Sequence, residues 1–155
     1  MSEIVVGVDG SAASRDALRW AVAEARLRGA SVVALNAWQV PAVPADIAPV
    51  PMHTAAFDVT DLLPRLEEGA RRLVASVVQE VVGDAEVDIR EAVVEGAPTT
   101  ALIAASRDAE LLVLGSRGHG GFTGLLLGSV SLQVAQHASC PVVICRHTTD
   151  AEEDR

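Results

Sequence analysis

The sequence predicts an α/β fold, a five-stranded parallel sheet with helices on both faces. Short apolar runs rich in valine and leucine alternate with longer segments whose apolar residues recur at helical spacing. Nearly continuous apolar strands are typical of a sheet covered on both faces, and their alternation with helices indicates parallel strands joined by right-handed crossovers. We expect one domain over residues 1–147 of the 155-residue chain.

The elements follow from the apolar pattern and from the residues at their ends. Gly29 and Gly83 end the first two helices, and Pro98 suits the first turn of the third. The predicted strands are Glu3–Val8, Ser31–Ala37, Glu86–Val94, Glu110–Leu114 and Pro141–Arg146. The predicted helices are Ala12–Arg28, Asp61–Val82, Thr99–Arg107 and Ser129–His137.

Two segments are predicted to lack regular structure. Residues 38–60 contain prolines at positions 41, 44, 49 and 51, which favours a long loop packed across the molecule, over the ligand site. Residues 148–155 form an acidic tail that is predicted to be disordered.

The composition excludes several classes of function. A formal net charge of −9 argues against binding nucleic acid or an anionic membrane. No apolar stretch is long enough for a membrane span, and the N-terminus does not resemble a secretory signal, so a cytoplasmic location is expected. All 12 basic residues are arginine, which excludes a Walker A lysine and a Schiff-base lysine.

The two cysteines are predicted to be reduced and structural. Cys140 and Cys145 flank and enter the last strand, where they would lie about 16 Å apart and on opposite faces. That separation is too large for one disulfide or for one metal shared with His137 and His147.

A glycine-rich segment between residues 115 and 131 is the strongest candidate for a ligand site. It follows a buried strand and ends at Gly128–Ser129, where a helix begins. Glycine permits positive φ and close approach of a ligand, and the first N–H groups of a helix have no internal partner. With the hydroxyls of Ser129 and Ser131 nearby, the segment predicts an anion site. The alternative is a surface turn that only connects two elements.

The spacing Gly-x2-Gly-x9-Gly-Ser resembles the ATP-binding signature of the universal stress protein family. The resemblance covers residues 3–147 and includes Val-Asp-Gly-Ser at 8–11, Val-Glu-Gly-x-Pro at 94–98 and Cys-Pro-Val-Val-Ile at 140–144. It implies an adenine nucleotide alpha hydrolase-like fold with strand order 3-2-1-4-5. The site then lies between strands one and four, where the order reverses.

The resemblance also implies a function. Members with this signature bind ATP with a divalent metal, Mg or Mn, form dimers, and act in stress survival or regulation rather than as strong catalysts. No catalytic residue and no metal ligand is therefore assigned. The candidate nucleotide-binding residues are Val8, Asp9, Gly10, Ala37, Val94, Gly115, Ser116, Arg117, Gly118, Gly128, Ser129, Val130 and Ser131.

The sequence leaves the roles of some candidate residues, and the identity of the ligand, open. Asp9 either caps the next helix or accepts hydrogen bonds from ligand hydroxyls, and the resemblance favours the second. Arg117 either pairs with a phosphate or is solvated, and His119 is expected to be exposed to solvent. AMP or cyclic AMP is an alternative ligand, and weak ATP hydrolysis is an alternative activity.

The last strand predicts a partner. At the sheet edge its apolar residues would need a cover, so a homodimer through strand five is expected. Leu125–Leu127 are expected to pack back onto the protein or against a second subunit.

Overall fold

A computed structural model describes residues 2–40, 59–119 and 126–147, with residues 59 and 60 described by their backbone alone. Five parallel strands form one sheet in the order β3-β2-β1-β4-β5, which confirms the expected topology. The strands are β1 Glu3–Gly7, β2 Ser31–Trp38, β3 Ile89–Glu95, β4 Leu111–Gly115 and β5 Val142–Cys145. The helices are α1 Ala12–Arg28, α2 Val59–Val82, α3 Pro98–Ala105 and α4 Ser129–His137.

The predicted bounds of α1 and α4 are confirmed, and the largest error is at the start of β3. The predicted third strand began at Glu86, whereas β3 begins at Ile89. The reason is a turn in which the Val87 N–H donates to the carbonyl of Ala85 at 2.8 Å. Residues 86 and 87 therefore lie outside the ladder, which starts where the Asp88 carbonyl accepts the Val32 N–H at 2.8 Å and Ile89 lies beside Val32.

The core has two layers because the sheet is covered on both faces. Ile4 and Val6 on β1 pack with α1 and α2, whereas Val5 between them packs with α3 and α4. This alternation follows from the two-residue repeat of a strand. Each such valine or isoleucine stabilises the fold by about 1.5–3 kcal/mol when fully buried.

The two predicted ligand loops meet because their strands are neighbours. β1 pairs with β4 from Ile4–Leu111 to Val6–Val113, so the chain leaving β1 and the chain leaving β4 emerge side by side. Ser11 then caps α1, because its hydroxyl oxygen accepts the N–H of Ser14 at 3.2 Å.

Several sequence predictions lie outside the described residues. These are residues 41–58 of the proline-rich loop, residues 120–125 of the glycine-rich segment and the acidic tail 148–155. In the part of the chain that the structure describes, no helix is long and apolar enough to cross a membrane.

The thiols of Cys140 and Cys145 are free, as predicted. Cys140 packs against the core layer of α3 and α4, and Cys145 packs against the layer of α1 and α2. Burial raises the pKa of both thiols. Among the described residues, no cluster of three or more histidine, cysteine, aspartate or glutamate side chains could hold a metal ion.

Candidate nucleotide site

A cavity of about 350 Å³ opens at the carboxyl ends of β1, β2 and β4. Its walls come from the loops that follow β1 and β4, from the end of β2, and from the first residues of α3 and α4. The predicted site residues that line it are Val8, Asp9, Ala37, Gly115, Arg117, Gly118, Gly128, Ser129, Val130 and Ser131. Most of the predicted set is therefore brought to one place.

Three predicted residues do not line the cavity. Val94 lies on β3, where it is 39% exposed, and β2 separates β3 from the cavity. Gly10 shapes the turn after β1 with φ of 82°. Ser116 is buried and acts through its backbone: its N–H donates to the Cys145 carbonyl, and its carbonyl accepts the N–H of Gly128, both at 2.7 Å.

The carboxylate of Asp9 supports the turn that begins α1 and also borders the cavity. Its Oδ1 accepts the Ser11 N–H at 2.9 Å and the Ser11 hydroxyl at 2.5 Å. That oxygen holds the turn that begins α1, while Ser11 provides the cap itself. The second oxygen, Oδ2, faces Gly118 across the cavity wall, so it lies where a ligand hydroxyl can reach it.

The glycines of the motif are required for different reasons. A β-carbon on Gly115 would lie 2.7 Å from the carbonyl carbon of Ala13, in the backbone of α1. A β-carbon on Gly118 would collide with Oδ2 of Asp9. A β-carbon on Gly128 would meet nothing closer than 3.5 Å, and its φ of −69° is open to any residue. The fold therefore requires Gly115, whose neighbours are backbone atoms, whereas a side chain at Gly118 would displace the Asp9 carboxylate and one at Gly128 would have room.

The start of α4 presents backbone donors to the cavity. Gly128 occupies the N-cap position without a side chain to cap the helix, and the first intrahelical bond runs from Leu132 N–H to its carbonyl at 3.0 Å. The N–H groups of residues 129–131 therefore have no acceptor within the helix. Partial positive charge of the helix dipole adds to them, so this end of the cavity suits an anion.

The two serines at this helix start differ. Ser129 is exposed at the cavity. Ser131 is only 5% exposed, and its hydroxyl donates to the carbonyl of Gly115 at 2.7 Å. The sequence predicted that both hydroxyls are available to a ligand. The Ser131 hydroxyl instead donates its proton to Gly115, and this hydrogen bond connects α4 to the end of β4.

Sequence reasoning missed an apolar wall and the polar side chain of Asn36. Asn36 is buried and lines the cavity, where its Nδ2 donates to the Val8 carbonyl at 2.7 Å. An amide within an otherwise apolar strand was the signal that could have revealed it. The remaining lining residues outside the predicted set are Gly7, Ser11, Ser14, Leu35, Pro98, Leu102, Leu114 and His119. His119 is exposed, as predicted, and also borders the cavity.

The comparison with family models decides the affiliation of the chain. The model of the universal stress protein family matches residues 1–146. The chain belongs to the universal stress protein family. Its curated relatives include a universal stress protein of Mycolicibacterium smegmatis, 38% identical over 146 residues, which span 92% of this chain and 45% of that protein. Another, from Mycobacterium tuberculosis, is 36% identical over 151 residues, with coverages of 94% and 45%. The chain therefore spans about half the length of these relatives.

Solved structures of the family share this fold. A universal stress protein of Lactobacillus plantarum is 25% identical, with a TM-score of 0.74, over 94% of this chain and 97% of that one. A universal stress protein in complex with cAMP is 26% identical, with a TM-score of 0.57, over 94% and 96% of the two chains.

In this universal stress protein, the ionisable side chains that the described residues contribute to the cavity wall are Asp9, Arg117 and His119. An acceptor, a fixed cation and an imidazole thus border a space that ends at the backbone donors of α4. Such an arrangement can bind a ligand that carries both hydroxyl and anionic groups.

Proposed function

We propose that this universal stress protein binds an adenine nucleotide in the cavity, with ATP and Mg or Mn as the expected form. The observation that carries the proposal is Gly128. It lies at the N-cap of α4, in the cavity wall, in a conformation open to any residue and with room for a β-carbon. A ligand that approaches the backbone there accounts for a glycine that the fold does not need.

The shape of the cavity supports a nucleotide. Its volume of about 350 Å³ falls within the range of roughly 300–1,000 Å³ of small-molecule sites. The apolar lining residues at the β2 and α3 side suit a base, and the start of α4 suits phosphates. Asp9 follows β1, the strand that lies between β2 and β4 in the sheet. Its Oδ2 is therefore placed between these two regions, where the sugar of a nucleotide would lie.

We propose that the metal ion binds through the nucleotide. The described residues contain no cluster of metal-binding side chains, and the chain has an acidic net charge of −9. Within the described part of the cavity lining, Arg117 is the fixed cation. A divalent ion that neutralises the phosphates would therefore strengthen binding, because Mg²⁺ is commonly held by phosphates and water.

Calorimetric titration with ATP and excess Mg²⁺ tests the proposal. The parent protein should bind one ATP per chain, and Gly128→Val should abolish binding while keeping the parent melting temperature. Gly69→Val is the matched control, because Gly69 is exposed on α2 with open space around it. A Gly128→Val variant that binds ATP like the parent would contradict the proposal. Equal ATP affinity with and without chelator would contradict the role of the metal.

Cyclic AMP or AMP is a second candidate ligand. The observation that favours it is the solved relative in complex with cAMP, at 26% identity. Competition titrations of ATP against cyclic AMP and AMP separate the candidates, since the start of α4 should favour the nucleotide with the most phosphate charge. Tighter binding of cyclic AMP than of ATP–Mg would assign the site to the cyclic nucleotide.

We propose that nucleotide binding serves regulation in the stress response rather than catalysis. Asp9 is the acidic side chain among the described lining residues. Its Oδ1 already accepts two hydrogen bonds that hold the α1 turn, and Oδ2 is left for the ligand hydroxyls. A steady-state phosphate-release assay tests this statement. Release that rises with ATP and disappears in Gly128→Val would instead identify a hydrolase.

A further inference from the structure

Arg15 lies on α1, outside the cavity wall, and reaches the turn that carries Asp9. Its Nη1 donates to the carbonyl of Gly10, and its Nε donates to Oε2 of Glu80 at 3.0 Å. Glu80 belongs to α2, so Arg15 connects α2 to the turn between β1 and α1. The side chain of Arg15 is more enclosed than that of Glu80, with exposures of 28% and 51%.

The turn that Arg15 contacts has little freedom. Gly10 is in the left-handed region, with φ of 82°, and a β-carbon there would lie 2.8 Å from Cδ1 of Leu73. Leu73 is also part of α2. The peptide between Gly10 and Ser11 is therefore held by a guanidinium at its oxygen and by an apolar contact at the glycine.

The orientation of this peptide determines the position of the Asp9 carboxylate. The Ser11 N–H, which belongs to the same peptide as the Gly10 carbonyl, donates to Oδ1 of Asp9 at 2.9 Å. Rotation of the peptide would move this donor and the carboxylate with it. Oδ2 of Asp9 would then leave its place beside Gly118 at the cavity.

We propose that Arg15, anchored by Glu80, is a positioning residue that holds Asp9 for recognition of the sugar hydroxyls of the nucleotide. This inference rests on the proposed nucleotide binding. In dinucleotide-binding α/β folds an acidic residue at the ligand edge of the sheet accepts the ribose hydroxyl. The Arg15–Glu80 pair then controls the preference for a ribonucleotide over an analogue without hydroxyls, although neither residue touches the ligand.

The test compares ATP with 2′,3′-dideoxy-ATP, which lacks both sugar hydroxyls. The parent should prefer ATP by about 10-fold or more, as expected for a hydrogen bond to a charged acceptor. Arg15→Ala should reduce this preference to less than about 3-fold through weaker ATP binding, with the affinity for the dideoxy nucleotide unchanged. Arg15→Lys, which keeps the charge and one donor, should recover part of the preference.

Arg19→Ala is the matched control, because Arg19 lies on the same helix and pairs with the half-buried Asp16 at 2.7 Å, away from the turn. It should keep the parent preference. A parent that binds ATP and the dideoxy nucleotide equally would overturn the inference, as would an Arg15→Ala variant with the parent preference or with equal losses for both ligands. These outcomes leave the proposed function intact, whereas a parent that binds neither nucleotide overturns both.

Discussion

The surroundings of Gly115 and Gly128 differ although both belong to one spacing pattern. Gly115 lies against the backbone of α1, with Ala13 and Ser14 within 3 Å of the position of a β-carbon. Backbone atoms cannot move aside as a flexible side chain can. Gly128 lies at an open helix start, where the nearest atoms are 3.5 Å away. One mutation at each position should therefore separate a packing requirement from a ligand requirement.

We expect Gly115→Ala to destabilise the fold by about 1–3 kcal/mol, as overpacking does, because α1 must move away from the end of β4. Gly128→Ala should change the free energy of unfolding by less than about 0.5 kcal/mol. Urea denaturation of both variants measures the difference. Equal stability of the two would show that the close contact at Gly115 does not constrain α1.

Substitution of the two serines at the start of α4 should affect two different properties, nucleotide binding and stability. Ser129→Ala is expected to weaken nucleotide binding by about 1–3 kcal/mol, the value of a hydrogen bond to a charged group, and to leave stability unchanged. Ser131→Ala removes the bond to the Gly115 carbonyl, so it should cost about 0.5–1.5 kcal/mol of stability. Calorimetric titration and urea denaturation on both variants give the comparison. The opposite pattern would reverse the two assignments.

At the scale of elements, the bounds of α1 were predicted from the sequence more accurately than the first residue of β3. The bounds of α1 follow from local chemistry, because Ser11 caps its start and Gly29 ends it with φ of 65°. The start of β3 depends on a turn at residues 85–87 and on the neighbouring β2. No apolar pattern encodes those two facts, since Val87 suits a strand as well as a buried turn.

The site was predictable where polar or glycine residues follow a strand, and less so elsewhere. Asp9 and the glycine motif stand out in the sequence, and both line the cavity. Leu102 and Leu114 line it too, but they read as ordinary core residues because they are also packed in the α3 and α4 layer. Whether an apolar side chain borders a cavity depends on the packing of several elements, which the sequence alone does not give.

A contact between α1 and the chain after β5 predicts how the stability of the fold depends on pH. The hydrogen bond from His147, which joins the chain after β5 to α1, holds the pKa of Asp16 below its ordinary value of 3.8. A carboxyl with a lower pKa in the folded state stabilises the fold above its unfolded pKa. That contribution decreases as the pH falls through the lowered value.

Asp16→Asn should therefore reduce the free energy of unfolding at pH 7 by up to about 1 kcal/mol, the upper range for an exposed pair. The difference from the parent should shrink as the pH falls below 3.8, the ordinary value for an aspartate. Urea midpoints at pH 7 and pH 3 provide the measurement, with Asp108→Asn on an exposed turn as control. A difference that is constant with pH would contradict the role of the charge.

At the scale of the whole molecule, the two edges of the sheet differ in their protection. β3 presents the exposed charged residues Arg90, Glu91 and Glu95, and charged side chains prevent an edge from pairing with another strand. β5 has the sequence Val-Val-Ile-Cys and is half-buried throughout. Leu126 is 73% exposed, so it does not pack onto the described part of its own chain. The β5 edge is thus the one that favours pairing.

The backbone of β5 shows which residues face the open edge. The carbonyls of Pro141 and Cys145 accept hydrogen bonds from Leu112 and Ser116, so every second residue from 141 pairs with β4. Val143 lies beside Val113 in this register. Val142 and Ile144 therefore direct their N–H and carbonyl groups outward, where a second strand can pair with them.

We expect a homodimer in which two copies of β5 pair antiparallel about a two-fold axis, since each edge supplies the donors and acceptors that the other needs. Ile144→Pro removes an outward N–H, and proline is tolerated where that group does not serve the sheet. It should give a folded monomer in sedimentation velocity at micromolar concentration, while Ile144→Ala, which loses side-chain burial alone, should stay dimeric. Val143→Pro should instead destabilise the fold, because its N–H faces β4. Sedimentation of the parent as a monomer would exclude this dimer, and a dimeric Ile144→Pro variant would place the interface elsewhere.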